Sequence, residues 1–214
     1  HDYGNSACVS TQVGCRYACA FCASGQGGLV RDLSPGEIYD QVLGMQQDSG
    51  ERISRLVIMG SGEPLDNYSA TLTFIRNIAA PYGLNIGYRH ITLSTCGLVP
   101  GIRKLALEKI PLTLAVSLHA PNDDIRRDLI PWANYTTIKD LLAAVKALED
   151  ACGITPPPAA IQIRELMMLG QLIQNQATSL FLFTMPDFSG AEGRPSIFEI
   201  GEDHADIAPR ALAV

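Results

Sequence analysis

The chain has 214 residues, 47% hydrophobic and 18% charged, the proportions of one globular domain or a domain with an appendage. A net charge of −6, from 16 basic and 22 acidic residues, argues against non-specific nucleic-acid binding, although it does not exclude RNA as a substrate. No apolar run of about 18 residues occurs, so no transmembrane helix and no membrane partner are expected. The opening HDYGNSAC has neither the basic nor the apolar stretch of a signal peptide, and a start on His1 rather than Met reads as a fragment. Six cysteines are too few for a disulfide scaffold, and four of them lie between Cys8 and Cys22, which points to a reducing, cytoplasmic setting.

In chain order, Ala7-Cys8-Val9 is a short strand candidate, followed by a cysteine-bearing loop that ends in the flexible Gly25 to Gly28. Ser34-Pro35-Gly36-Glu37 then has the form of a helix start: Ser34 caps, Pro35 suits the first turn, and Glu37 completes a capping box. Ile38, Val42 and Met45 recur at helical spacing and predict a helix to about Gln47. Arg55 to Met59 has the short apolar pattern of a strand buried on both faces, ending in Gly60-Ser61-Gly62-Glu63-Pro64. A helix over Ser69 to Ala79 is predicted, then a strand from His90 to Ser94 running into Thr95-Cys96-Gly97, and a short helix after Pro100. Leu112 to Ser117 predicts a strand ending in Leu118-His119-Ala120-Pro121. Thr137 caps a helix to Ala151, with Leu141, Leu142, Val145 and Leu148 on one face, before a stiff Pro156-Pro157-Pro158 linker. Residues 160–164 and 180–184 are weaker strand candidates, and no periodicity is evident from Gly190 on.

Strands alternating with helices argue for βα units around a parallel sheet. The glycine-bearing and polar signals all follow strands, where sites gather in barrels and doubly wound sheets alike.

Cys15, Cys19 and Cys22 have the spacing C-x3-C-x2-C. Three thiolates on one loop suit a 4Fe-4S cluster with one iron left without a protein ligand, free to hold the amino and carboxylate groups of S-adenosylmethionine. A zinc knuckle, with Cys8 or a distant residue as fourth ligand, fits the same residues, as do thiols that merely pack. Gly62 and Glu63 offer backbone carbonyls and a carboxylate to an ammonium, and Ser94 and Ser117 offer hydroxyls at neighbouring strand ends. Taken singly, these are equally a turn and two strand-end caps, His119 is a rim histidine, and Cys8 is a small buried hydrophobe.

Four stretches, CVSTQVGCRYACAFCASGQGGLVRDLSPGEI, VIMGSGEPLDN, HITLSTCGLVP and AVSLHAPNDDIRRDLIP, together resemble the radical S-adenosylmethionine RNA methyltransferases of the RlmN/Cfr family, closest to its dual-specificity branch. The likeness runs from residue 2 to about 152, in the right order. It implies an α/β fold, a partial (β/α)6 barrel of the radical SAM type, with residues 1–152 as the radical SAM core and 153–214 as a divergent or truncated, irregular C-terminal segment. It implies methylation of C2 of an adenosine in 23S ribosomal RNA and transfer RNA, with RNA and an electron donor as partners. Carried over by position, Cys15, Cys19 and Cys22 are cluster ligands, and Gly62, Glu63, Ser94, Ser117, Leu118 and His119 contact S-adenosylmethionine. Cys8 corresponds to a catalytic cysteine that resolves a protein–RNA adduct.

The family's methyl-carrying cysteine lies in a late G-x-D-I-x-A-A-C-G-Q-L segment. Here Gly201 to Ile207 is followed by Ala208-Pro209-Arg210, without a cysteine. That departure keeps two further readings open: a radical enzyme acting on a peptide or small molecule, and a non-enzymatic metal-binding module.

Overall fold

The computed structural model describes residues 4–153, together with 158, 159 and 162. The fold is that of the first of two units, His1–Ile154 and Thr155–Val214. Pro158, Ala159 and Gln162 are helical, so the polyproline stretch does not extend through Pro158 and no strand runs through Gln162. Proline's fixed φ suits the first turn of a helix as well as an extended linker. The rest of the expected 160–164 strand, the 180–184 strand and the irregular segment from Gly190 lie outside the described residues.

Eleven strands and helices follow one another among the described residues. They are β1 (Asn5–Cys8), β2 (Gln12–Gly14), β3 (Leu29–Asp32), α1 (Pro35–Ser49), β4 (Ile53–Ile58), α2 (Tyr68–Ala79), β5 (Ile91–Thr95), α3 (Val99–Glu108), β6 (Thr113–Val116), α4 (Asp123–Leu129) and α5 (Ile138–Ala151). Four strands form a parallel sheet in the order β1-β4-β5-β6, and β2 and β3 pair antiparallel as a separate ribbon. This is the α/β fold that the strand–helix alternation predicts. Two more parallel strands, needed for a six-stranded partial barrel, are not among the described residues.

Local chemistry sets most boundaries. Ser34 and Glu37 form the expected capping box, and Gly50 closes α1 in the left-handed conformation. Thr137 caps α5 and makes a second capping box with Asp140. Two elements were not foreseen. The β2–β3 ribbon brackets the cysteine loop where flexible connection was expected, because a three-residue strand carries too little periodicity to read. The short α4 follows SLHAP, with Asn122 as its side-chain cap.

The helices cover one face of the sheet. Leu56, Ile58, Ile91 and Leu93 point into this layer and meet Ile38, Phe74, Ile78 and Ile102, all 1% exposed or less. Each such side chain contributes about 1.5–3 kcal/mol by leaving water. The opposite face is more open: Arg55 is exposed, Val57 and Thr92 are half-buried, and Met59 is 47% exposed. The β4 strand is therefore buried on one face, not on both. On α5 the buried residues are Leu141, Ala144 and Leu148, and Leu142 is 59% exposed. Leu142 thus lies off the core face assigned to it by sequence, because the apolar run on α5 is wider than the stripe that meets α3. Among the described residues, no helix is long and apolar enough to cross a membrane.

Candidate active site

The carboxyl ends of β4, β5 and β6 and the loop between β2 and β3 face one another. A cavity of about 160 Å³ lies between them, and Cys15, Cys19, Cys22, Gly62, Glu63, Ser94 and Ser117 all line it. Seven of the ten site residues read from the sequence thus come together, although they arrive from four separate segments.

The cysteine loop is tied down at several points. Cys15 N–H donates to the Gly28 carbonyl at 3.1 Å, and Ala20 N–H to the Leu129 carbonyl at the end of α4 at 2.9 Å. Arg16 pairs with Asp66 at 2.9 Å, and the Tyr17 hydroxyl donates to the same carboxylate at 3.2 Å. The Tyr17 ring meets Trp132 edge-on, with centroids 5.7 Å apart. Ala18, in the middle of the loop, takes φ +46°, a left-handed conformation rare outside glycine. These anchors hold the three thiols on fixed backbone.

Glu63 is buried, and its environment is built around its carboxylate. The oxygens accept from Leu65 N–H at 3.0 Å and Cys96 N–H at 2.8 Å, while its own N–H donates to the Gln12 side-chain carbonyl at 2.8 Å. Burial raises the Glu63 pKa, and the N–H groups of Cys96 and Leu65 oppose that rise. Gln12 is itself buried and donates to Asp32 at 2.7 Å and Asp66 at 2.9 Å, pinning the Gly62–Glu63 turn to the β2–β3 ribbon. Gly62 sits at φ +99°, where a Cβ would fall 2.5 Å from the Gln12 side chain, so only glycine fits.

The thiols differ in environment. Burial raises the Cys15 pKa. Cys19 is lowered, chiefly by a hydrogen bond from the Cys96 thiol, and Cys96 is raised by the same contact and by burial. The shift favours the Cys19 thiolate, the form that binds metal.

Three expected site residues stand apart from the cavity lining. Leu118 is 40% exposed. His119, at φ +53°, packs its ring against Phe21 with centroids 4.3 Å apart, so it touches the cysteine loop at the rim. Cys8 is exposed, not buried as a packing thiol would be. It ends β1 opposite Val57, which pairs with Thr92, so Cys8 lies on the open sheet face that also bears Ser94.

No three His, Cys, Asp or Glu side chains among the described residues stand close enough to share one metal ion. Thiolates bound to three different irons of a cluster stand farther apart than ligands around a single ion. Cys15, Cys19 and Cys22 line one cavity, the arrangement that a 4Fe-4S cluster with three thiolate ligands requires.

Sequence reading missed Gln12, Cys96 and Arg126. Arg126, on α4, is fully buried and donates to the Cys96 carbonyl at 2.7 Å and the Ser117 carbonyl at 3.4 Å. Nothing in Asp123 to Asp128 sets it apart from its neighbour Arg127, which is exposed and paired with Asp124.

The chain belongs to the Radical SAM superfamily, which it matches over residues 9–155. It is 69% identical over 146 residues to a protein of Pelotomaculum thermopropionicum named probable dual-specificity RNA methyltransferase RlmN, covering 68% of this chain and 40% of that one. A protein of the same name from Desulforamulus reducens is 67% identical over 144 residues, covering 67% of this chain and 41% of its own length. A crystal structure of a radical SAM methyltransferase from Sphaerobacter thermophilus shares the fold, with a TM-score of 0.68 and 43% identity, covering 72% of this chain and 46% of that one. The chain spans less than half the length of these relatives.

Proposed function

We propose that this chain is the radical SAM core of an RNA methyltransferase directed to C2 of an adenosine in 23S ribosomal RNA and transfer RNA, with residues 1–152 as the core and 153–214 as a divergent or truncated C-terminal part. The observation that carries this reading is the single cavity lined by Cys15, Cys19, Cys22, Gly62, Glu63, Ser94 and Ser117. Its likeness to relatives named as RNA methyltransferases supports the substrate class. All six cysteines are free thiols, in keeping with a reducing, cytoplasmic setting.

Cys15, Cys19 and Cys22 would hold a 4Fe-4S cluster, and the strand ends would hold S-adenosylmethionine. When bound, the pair supplies a one-electron reduction that opens a carbon–sulfur bond and starts radical chemistry. The remaining work belongs to the chain. Glu63, fixed by two N–H donors, accepts from the methionine ammonium. Gly62 lets the backbone approach closely, and Ser94 and Ser117 offer hydroxyls to the ribose and carboxylate. Leu118 and His119, with Phe21 against the imidazole, shield the mouth from water.

Cys8 lies on the open sheet face as an accessible thiol, the requirement for a nucleophile that resolves a protein–RNA adduct. No cysteine follows Cys152 in this sequence. That same feature favours the second reading, radical chemistry on a peptide or small molecule.

Anaerobic reconstitution of the 214-residue chain tests the proposal. The expected product is a brown protein with about four irons per chain that forms 5′-deoxyadenosine under dithionite, with Cys15→Ala losing both properties. A colourless protein carrying only zinc would overturn it. Turnover indifferent to added RNA would transfer the case to the second reading.

A further inference from the structure

Arg126 has the chemistry of a residue placed for the site, though it does not line the cavity. It is 0% exposed, and its Nε and Nη1 have no hydrogen-bond partner among the described residues. No carboxylate among them forms an ion pair with it. A buried cation without a counter-ion is costly, and such groups persist where an anion or a positional demand balances the cost. Two observations say which demand. Its Nη2 bridges the Cys96 and Ser117 carbonyls, which belong to the loops leaving β5 and β6, just beyond Ser94 and at Ser117 itself. Gly97 takes φ +99°, and a Cβ there would lie 2.7 Å from Nη2, so the β5 loop is shaped around the guanidinium.

Its helix also meets the cysteine loop. The α4 helix that carries it is stitched to that loop through Ala20 N–H and the Leu129 carbonyl.

We propose that Arg126 is a positioning residue that locks the ends of β5 and β6 together and sets a fixed positive charge behind the cluster-bearing loop, easing reduction of the cluster. The proposal rests on the cluster assignment of Cys15, Cys19 and Cys22. Three thiolates and a reduced 4Fe-4S core carry net negative charge, and a buried guanidinium stabilises the reduced state more than the oxidised one. Charge and shape separate in two variants: Arg126→Lys keeps the charge and loses the bridging fork, whereas Arg126→Gln keeps an N–H donor for the carbonyls and loses the charge.

The test is a redox titration of the reconstituted 214-residue protein, followed by the paramagnetic signal of the reduced cluster. Wild-type iron content is read first, so absence of a cluster there counts against the cluster assignment and not against Arg126. Arg126→Gln should take up iron but show about a tenfold lower ratio of reduced to oxidised cluster at a fixed potential, a shift of about −59 mV for one electron. Arg126→Lys should keep the wild-type potential while its KM for S-adenosylmethionine rises, because the strand ends are no longer bridged. Equal potentials in wild type and Arg126→Gln would overturn the proposal. Should Arg126→Gln not load iron, Arg126→Lys decides: loading at the wild-type potential supports the charge, and failure to load overturns it in favour of a purely structural role.

Discussion

The two sides of the sheet are held by different forces. Under the helices, Ile38, Phe74, Ile78 and Ile102 are fully buried, and only shape and apolar area keep them in place. At the carboxyl ends of the strands, Gln12, Glu63, Asn67 and Arg126 are also buried but polar, each with its own hydrogen bonds. Asn67, for example, donates to the Thr11 and Leu33 carbonyls at 2.8 Å each and closes the β2–β3 ribbon onto the start of α2. Packing is non-directional and tolerates some repacking, whereas a hydrogen-bond network fixes atoms to a point. The helical layer therefore governs whether the chain folds, and the polar mouth governs where the functional groups stand.

Substitutions can separate the two. Phe74→Ala should lower stability by about 3–5 kcal/mol, the cost of an aromatic cavity in a closed core. Iron bound per folded chain should not change. Chemical denaturation paired with iron analysis of the folded fraction checks this, and loss of iron at full folding would break the division. Gln12→Leu acts the opposite way. It leaves the Glu63 N–H without its acceptor and should cost about 1–3 kcal/mol. The stronger signal should be an approximately tenfold weaker affinity for S-adenosylmethionine, read by equilibrium binding to the reconstituted protein. Unchanged affinity would mean that the Gly62–Glu63 turn holds itself.

The smallest effect lies outside both regions, at the exposed start of α1. Arg31 clasps Glu37 through two hydrogen bonds of 2.7 and 3.0 Å, and Ser34 N–H adds a third. Arg31 first, then Ser34, holds the Glu37 pKa down to about 2. A carboxylate lowered on folding contributes stability that is fully present above its ordinary range and is lost as pH falls toward about 2. Glu37→Gln should lower the melting temperature slightly at neutral pH, where the clasp is intact, and change it little near pH 2, so that the acid slope flattens. An identical acid slope in both proteins would show that the clasp adds nothing measurable.

What the sequence determined by itself is whatever short-range chemistry decides. Caps at Ser34 and Thr137, strand and helix order, and the C-x3-C-x2-C spacing are properties of neighbouring residues, and each is visible in a window of a few positions. Even the convergence of Glu63, Ser94 and Ser117 was legible, because parallel strands send their carboxyl ends to one side. Only the tertiary structure decided which member of a similar pair is buried. Leu141 faces the core and Leu142 the solvent; Arg126 is sealed beneath two strand ends while Arg127 lies in water; Cys8 turns to the open face and Ala7 to the helices. In each case the deciding partner lies far away in the chain, and a single residue's burial is fixed by the groups that close over it rather than by its own type.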